Sequence, residues 1–339
     1  MTPDPLIALT VFFSAILVGV VLWRISKSAR LFHNLKQSRK TLIEDILKQL
    51  YHVEYSGRKA SLNAMAGALK ISDKKLLKLV EEMSLRNLIK FEKNTLRLTP
   101  SGNDYALKII RVHRLWEKYL SERTGIDKSE WHDRAELKEH ELTKEETDQL
   151  YRELGNPRFD PHGDPIPTET GEIIESNWKS LSGLPNNSSA KIVHIEDEPD
   201  VIYQQILKKK LHIGSQVKII SSDDHEVKFF SEGNRYELSP IVASNISVED
   251  LKQQEIFEED MVRLSSLKTG EKALITGIST ECRGASRRRL LDLGFIADSI
   301  IETEFASPMN EPKAYSIRNT IIALRGDQAD LILIKKINE

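Results

Sequence analysis

Apolar residues Leu42, Ile43, Ile46, Leu47, Leu50 and Val53 recur at helical spacing and stop near Ser56-Gly57, which predicts a first helix. Leu62, Met65, Ala66 and Leu69 predict a second, shorter one. Ser72 reads as the N-cap of a third, with Leu76, Leu77, Val80 and Met83 turned inward and Lys74, Lys75 and Lys78 outward. The run from Leu88 to Leu98 alternates about Lys93-Asn94, as a hairpin does. A long helix is expected over roughly 103–124, and another carries His132 to His140. Thr143 and Glu146 form a capping-box pattern that opens one more, ending near Leu154. Residues 156–167 are too dense in Pro and Gly for anything but a structured loop, and 179–190 read as a linker. Short strands follow at Lys191 to Ile195, Gln216 to Ile220, Val227 to Phe230 and Arg235 to Leu238, and a second β-rich stretch runs from Leu264 to Ile337. Ile213 to Ile220 and Thr269 to Thr276 share a Gly-then-strand opening, which suggests two small barrels of one type in tandem.

Three helices followed by a hairpin is the order of a winged helix-turn-helix. Residues 36–100 hold about twice as many Lys and Arg as Asp and Glu, placed where phosphates would need neutralising. The whole chain of 339 residues carries a formal net charge of only -2, so any nucleic-acid surface is local. Cys282 is the lone cysteine, which rules out an intramolecular disulfide and a cysteine-based zinc site and fits a reducing compartment. From Leu6 to Trp23 no charge appears, and a helix of about 27 Å would just cross a bilayer. Asp4 precedes that run while Arg24, Lys27 and Arg30 follow it. The expectation is therefore a single-pass span in the inner (cytoplasmic) membrane, with the bulk of the chain in the cytoplasm.

Two stretches carry metal chemistry. His132, Glu136, Glu139 and His140 stand at i, i+4, i+7 and i+8, so a helix would project all four from one face. Just upstream, His113 and Glu117 stand one turn apart. Imidazoles with carboxylates and no thiolate suit a borderline or hard divalent ion such as Mn2+ or Fe2+. A solvated helix face with incidental histidines would explain either stretch alone, but two within 30 residues favour a site. No nucleophile elbow, P-loop or His-Glu-x-x-His pattern occurs, which argues against a hydrolase or any other enzyme. Arg287, Arg288 and Arg289 are read as decorating a short helix whose Leu290, Leu291 and Leu293 pack on the barrel; His162 and Asp164 have metal-binding side chains but are read first as turn residues that hold their loop.

These pieces, in this order, resemble the DtxR/MntR family of metal-dependent transcriptional regulators over roughly residues 36–250. The stretches that carry the likeness are Leu98 to Gly102, His113 to Glu117, Trp131 to Glu136 with Glu139-His140, and Phe159 to Pro167. The stretch from Cys282 to Phe295 resembles a FeoA domain, an SH3-like barrel associated with ferrous iron transport. The resemblance implies a mainly α multidomain protein with β modules. Together with the transmembrane anchor and basic flank read from the apolar run (1–30), the parts are a winged-helix DNA-binding domain (31–102), a helical metal-binding and dimerisation domain (103–178), an SH3-like domain (190–250) and a FeoA-like SH3 domain (261–338).

By the same resemblance, Asp45 joins Glu136, Glu139 and His140 in a primary metal site, and His113, Glu117 and His132 form a second. Glu196, Glu198 and Asp200 of an acidic loop are candidate further ligands. Asp45 and Glu136, in place of the Met and Cys of iron-responsive members, resemble the manganese regulators. Lys48, where those members offer another carboxylate, departs from their closely spaced two-metal arrangement. Ser72, Lys74, Lys75 and Lys78, with Lys90, Lys93 and Arg97 of the hairpin, are expected to face double-stranded DNA, a homodimer reading a palindromic operator. The rival reading is a membrane-tethered metal-sensing accessory of a manganese or iron transporter that does not bind DNA.

Overall fold

The structure, a computed structural model, describes residues 39–92, 95–174, 176–251, 257, 260–307 and 311–337. The chain divides into two compact units, Met1–Ile109 and Ile110–Glu339. The expected membrane span at 6–23 lies outside the described residues, and no helix among the described residues is long and apolar enough to cross a membrane.

The first unit begins with α1 (Arg39–Tyr55), which buries Leu42, Ile43, Ile46, Leu47 and Leu50 along one stripe. Ser61 caps α2 (Leu62–Ala68) by accepting from Ala64 N, and Ser72 caps α3 (Asp73–Leu85) by accepting from Lys75 N. α3 buries Leu76, Leu79, Val80 and Met83 and leaves Lys74, Lys75 and Lys78 exposed. Leu77, expected inside, is exposed as well, because Leu79 fills the inward position. The hairpin pairs β2 (Ile89–Glu92) with β3 (Thr95–Leu98), and β1 (Ala60–Ser61) adds a third strand on the far side of β3. Two residues are too few for an alternation to reveal, so β1 has no sequence signal. Lys93 and Asn94, at the hairpin tip, lie outside the described residues.

Leu98-Thr-Pro-Ser-Gly102 is a joint. Thr99 Oγ1 donates to Asn87 O at 2.6 Å and accepts from Gly102 N at 3.0 Å. A Cβ on Gly102 would lie 1.9 Å from Leu88 O, so only glycine lets the chain pass there. Pro100 then opens α4 (Pro100–Arg123), at a position that needs no backbone donor.

In the second unit, a 3-10 turn (Lys128–Glu130) leads into α5 (Trp131–Lys138), and the Thr143–Glu146 capping box opens α6 (Lys144–Glu153). The helix expected to run through His140 ends at Lys138. Glu139 is its C-cap, and His140 falls in the turn before Thr143. Leu115, Leu150 and Ile166 form the small core of this helical part.

A first β unit follows. Its six described strands, β4 (Lys179–Ser180), β5 (Ser189–Ile195), β6 (Gln216–Ser222), β7 (Val227–Ser231), β8 (Asn234–Leu238) and β9 (Ile246–Asp250), lie in the order β4-β9-β5-β6-β7-β8. Helix α7 (Asp200–Lys208) joins β5 to β6, and one-turn α8 (Pro240–Ala243) joins β8 to β9. The 179–190 linker expectation is overturned: Lys179-Ser180 pairs with β9, and Leu181 and Leu184 are buried in the core of this unit. Its Gly, Pro, Asn and Ser residues make tight turns within the fold, a role that composition does not separate from linkage.

The second β unit repeats the plan with β10 (Met261–Arg263), β11 (Lys272–Ile278), β12 (Ile300–Ala306), β13 (Lys313–Ile317), β14 (Thr320–Leu324) and β15 (Ile332–Lys336), ordered β10-β15-β11-β12-β13-β14. Helix α9 (Gly284–Asp292) joins β11 to β12, and α10 (Gly326–Ala329) joins β14 to β15. The topological partner of β11 is β5. The Gly-then-strand likeness had paired Thr269–Thr276 with the stretch that forms β6, because a turn followed by a strand looks alike wherever it sits in a sheet. Leu290 is buried and Leu293 packs on the core, while Leu291 is exposed.

Candidate metal centre

One turn of α4 places His113 and Glu117 on the same face, both buried, with His113 Nε2 3.2 Å from Glu117 Oε1. Helix α5 brings His132 to them: its Nδ1 lies 3.6 Å from Glu117 Oε1, and the two imidazole rings meet edge to face. Glu136, one turn further along α5, has Oε1 3.5 Å from His132 Nε2. Past the end of the helix, Glu139 turns back so that Oε2 lies 2.5 Å from His113 Nδ1, and His140 Nε2 stands 3.5 Å from Glu139 Oε1.

Two loops close the cluster. In the 159–165 loop, Asp160 Oδ1 accepts from the backbone N of His162 and of Asp164, an Asx-turn that fixes the tip. Arg114 donates to Pro165 O at 2.6 Å and to Asp164 Oδ1 at 2.8 Å. Gly163 sits at φ +95, where a Cβ would lie 2.2 Å from Val193 O. So held, the buried His162 points Nε2 to within 3.9 Å of both Glu117 Oε1 and Asp197 Oδ2, while its Nδ1 lies 3.3 Å from the hydroxyl of Tyr203 on α7. The loop between β5 and α7 supplies Asp197, whose Oδ2 is 3.0 Å from His132 Nδ1, and Glu198, whose Oε1 is 3.3 Å from His132 Nε2.

Three overlapping ligand sets result: His113, Glu117 and His132; Glu117, His162 and Asp197; and His132, Glu136 and Glu198, each with donor atoms within 4.8 Å of one another. The electrostatics are those of a site that needs cations. Burial raises the Glu117 carboxyl, but His113, His132 and His162 outweigh it and hold the group well below its usual range. Burial opposes charge on His132, yet Asp197, Glu117, Glu136 and Glu198 raise its proton affinity far above that of a free imidazole. Asp197 is likewise held low by His132 and His162 against its burial. Burial, with Asp164 and Glu117 close by, pushes Asp160 well up. Glu117 Oε1 and His162 Nε2 are buried and make no hydrogen bond of good geometry. Buried polar atoms left in that state call for an ion or water, and an all-N/O donor set fits Mn2+ or Fe2+.

Of the residues the sequence singled out, the structure brings His113, Glu117, His132, Glu136, Glu139 and Glu198 into this cluster, with His140 beside Glu139. Glu196 and Asp200 fall outside these sets: Glu196 is half-buried, with its carboxyl raised to about 7 by burial and Asp164, and Asp200 opens α7, where it accepts from Gln204. Asp45 lies half-buried on α1 of the first unit. Sequence reasoning gave His162 a loop-holding role in preference to metal binding and left Asp197 out of the candidate ligands. Asp197 stood inside the acidic loop already noted, and a flanking Asp160 and Gly163 that build a tight turn were the signal that His162 is held in place. On the winged helix, Lys74, Lys75 and Lys78 are exposed, and Lys90 faces Arg97 across the hairpin, both exposed.

Residues 99–168 match the family described as iron dependent repressor, metal binding and dimerisation domain, and residues 262–336 match the FeoA domain. The diphtheria toxin repressor of Corynebacterium diphtheriae is 27% identical over 220 residues, 61% of this chain and 96% of its own length. A probable metal transport system membrane protein of Chlamydia trachomatis serovar D is 39% identical over 85 residues, 25% of this chain and 19% of that protein. Among solved structures, T. acidophilum IdeR superposes with a TM-score of 0.53 at 28% identity, over 61% of this chain and 97% of that one. The chain is thus similar to the diphtheria toxin repressor and IdeR proteins over about three fifths of its length, and two of its stretches match the iron dependent repressor metal binding and dimerisation family and the FeoA domain.

Proposed function

We propose that this protein is a metal-dependent transcriptional repressor that takes up Mn2+ or Fe2+ and binds DNA as a homodimer. The observation that carries the reading is the buried pair Glu117 Oε1 and His162 Nε2, orphaned at 3.9 Å inside a ring of imidazoles and carboxylates. His113, Glu117, His132, His162 and Asp197 would hold one ion, with Glu136 and Glu198 at its rim. Glu136, Glu139 and His140, with Asp45 of the DNA-binding part, are the ligands the resemblance assigns to the other ion, in its primary site. A divalent cation would supply the positive charge that the proton on His132 otherwise provides. Without it, the carboxylates repel one another and the two reading heads lose their fixed separation. Shifting such an equilibrium from 1:99 to 99:1 takes about 5.5 kcal/mol of differential binding, within the range of a multidentate site. Lys74, Lys75 and Lys78, all exposed, would meet the groove and phosphates, and Lys90 and Arg97 the flanking backbone.

The expected result is that the purified chain retards DNA selected from a random duplex pool with Mn2+ or Fe2+ present and releases it on chelation. Retention unaffected by chelation, or none at any metal level, overturns the reading. Asp45→Ala should abolish metal-dependent retention while leaving ion uptake at His113, Glu117 and His132 intact. The membrane anchor at 6–23 and a transporter partner belong to the same proposal as its outer layer, supported by the apolar run and by the Chlamydia likeness. Membrane fractionation tests that layer: recovery of the full chain in the soluble fraction removes it.

A further inference from the structure

No described residue of the FeoA-type unit belongs to the ligand sets, yet the unit touches the turn that leads into α5 and the connection that follows α7. Its contacts converge on the loop between β11 and α9. Glu281, in that loop, lies 3.6 Å from Lys128 Nζ at the turn leading into α5, and its other oxygen lies against His212 Nδ1 in the connection that follows α7. Lys128 stands four residues before His132, and α7 begins just after Asp197 and Glu198. One carboxylate therefore ties the turn that leads into the helix carrying His132 to the connection at the far end of the helix that Asp197 and Glu198 precede.

The neighbouring residues make the docking close. A Cβ on Gly284 would lie 2.1 Å from Glu122 O at the end of α4, and Thr280 donates to Ile213 O at 2.8 Å while packing on Gly214. Further along the same face, buried Arg263 pairs with both oxygens of Glu232, and Lys210 reaches Asp330 at 2.6 Å. Burial pushes the Glu281 carboxyl up, but His212 and Lys128 outweigh it and bring it down to about 2, so the link is charged at neutral pH.

We propose that the FeoA-type unit is an internal clamp for the metal sensor, with Glu281 as the positioning residue that holds Asp197 and His132 at ligating distance of one ion. The proposal rests on the sensor reading above. Residues that orient metal ligands from behind cost about 10- to 100-fold in affinity when removed, because the ligands must then be ordered by the ion itself.

The test is calorimetric titration of the full chain with Mn2+ alone. Glu281→Ala should weaken binding about tenfold, and the loss should shrink in an Asp197→Ala background, where the main barrel ligand that the clamp positions is gone. Lys128→Met cuts the same link from the helical side and should show about the same tenfold loss with the same dependence on Asp197, which keeps the test decisive if Glu281→Ala does not fold. Unchanged affinity in the variants, or an equal loss with and without Asp197, overturns the clamp. A parent chain that takes up no Mn2+ overturns the sensor reading, whereas a parent that binds alongside unaffected variants overturns the clamp alone.

Discussion

The two β units follow one course and use it differently. Each runs from a short strand through a 3-10 turn to a long strand, then a helix, a three-strand meander, a one-turn helix and a closing strand. Even their irregularities match: the long strand bulges at Ile192/His194 in one and Ile275/Gly277 in the other, and the next at Ile219/Ser221 and Thr303/Phe305. A bulge re-aims the residues beyond it. In both units what lies beyond the first bulge is a loop directed at the helical part. In the first unit that loop reads Glu196-Asp-Glu-Pro and delivers carboxylates to imidazoles. In the second it reads Ser279-Thr-Glu-Cys-Arg and delivers one carboxylate to Lys128 and His212. Topology fixes where the loop goes, and the charges it meets decide whether it can ligate an ion or fasten a surface.

The sharpest way to break this comparison is at the junction of the two β units, both within Ile110–Glu339. Glu232 and Arg263 are buried and paired, so Arg263→Ala leaves an uncompensated carboxylate in a poorly solvated place and should cost about 3–5 kcal/mol. Replacing both, as Glu232→Leu with Arg263→Met, should cost far less, because the desolvation of two charges disappears along with their attraction. Denaturant unfolding of the full chain measures both. Equal losses in the single and double variants would show that the pair does not bear on the fold as a pair.

The two loops should also answer differently to pH. His132 holds its proton at neutral pH because Asp197, Glu117, Glu136 and Glu198 outweigh the effect of burial. An incoming ion must displace that proton, so Mn2+ affinity should rise with pH, by about tenfold per unit for each proton released. Titrations at pH 6, 7 and 8, in buffers of different ionisation enthalpy, read both the slope and the proton count. A flat profile would mean that the imidazole is already neutral before binding. Glu281 gives the opposite case. Its carboxyl is depressed to about 2, so its stabilising contribution is complete above the ordinary glutamate value of 4.5 and is lost only as pH falls toward 2. The stability difference between the parent and Glu281→Gln should therefore fade as pH falls from about 4.5 toward 2.

How much of this was legible in the sequence depended on range. The helices of the first unit, the hairpin and the capping box at Thr143 are written in local periodicity and caps, and they appear where those signals stand. His113 with Glu117 and His132 with Glu136 were legible for the same reason, since i,i+4 spacing on a helix is itself a statement of proximity. The end of α5 was not, because nothing in Leu137-Lys-Glu-His140 forbids another turn. Only the position of Thr143 as the next cap shortens it. His162 and Asp197 were hidden more deeply. They lie 35 residues apart in two loops, and what joins them is the bond from Ile195 N to His162 O, a pairing between a β strand and a Pro-rich loop. The residues 179–190 misled for a different reason. Their composition is that of a linker, and only the burial of Leu181 and Leu184 places them in a core.

The smallest effect expected from the comparison lies in its two one-turn helices. In the first unit Ser239 caps α8, with its hydroxyl oxygen accepting from Val242 N at 3.4 Å. At the equivalent place before α10 stands Arg325, whose backbone N donates to Gln328 Oε1 at 3.2 Å. A serine there, with Gln328 already in place, would complete a reciprocal pair in which each residue satisfies the other's backbone donor. Ser239→Ala should therefore cost about 1 kcal/mol, while Arg325→Ser should gain between a few tenths and about 1 kcal/mol. Thermal melts of the two variants should move in opposite directions. A loss from Arg325→Ser would mean that the arginine makes a contribution in the second unit that its counterpart in the first does not need, and that the two units diverge at their caps as well as in their loops.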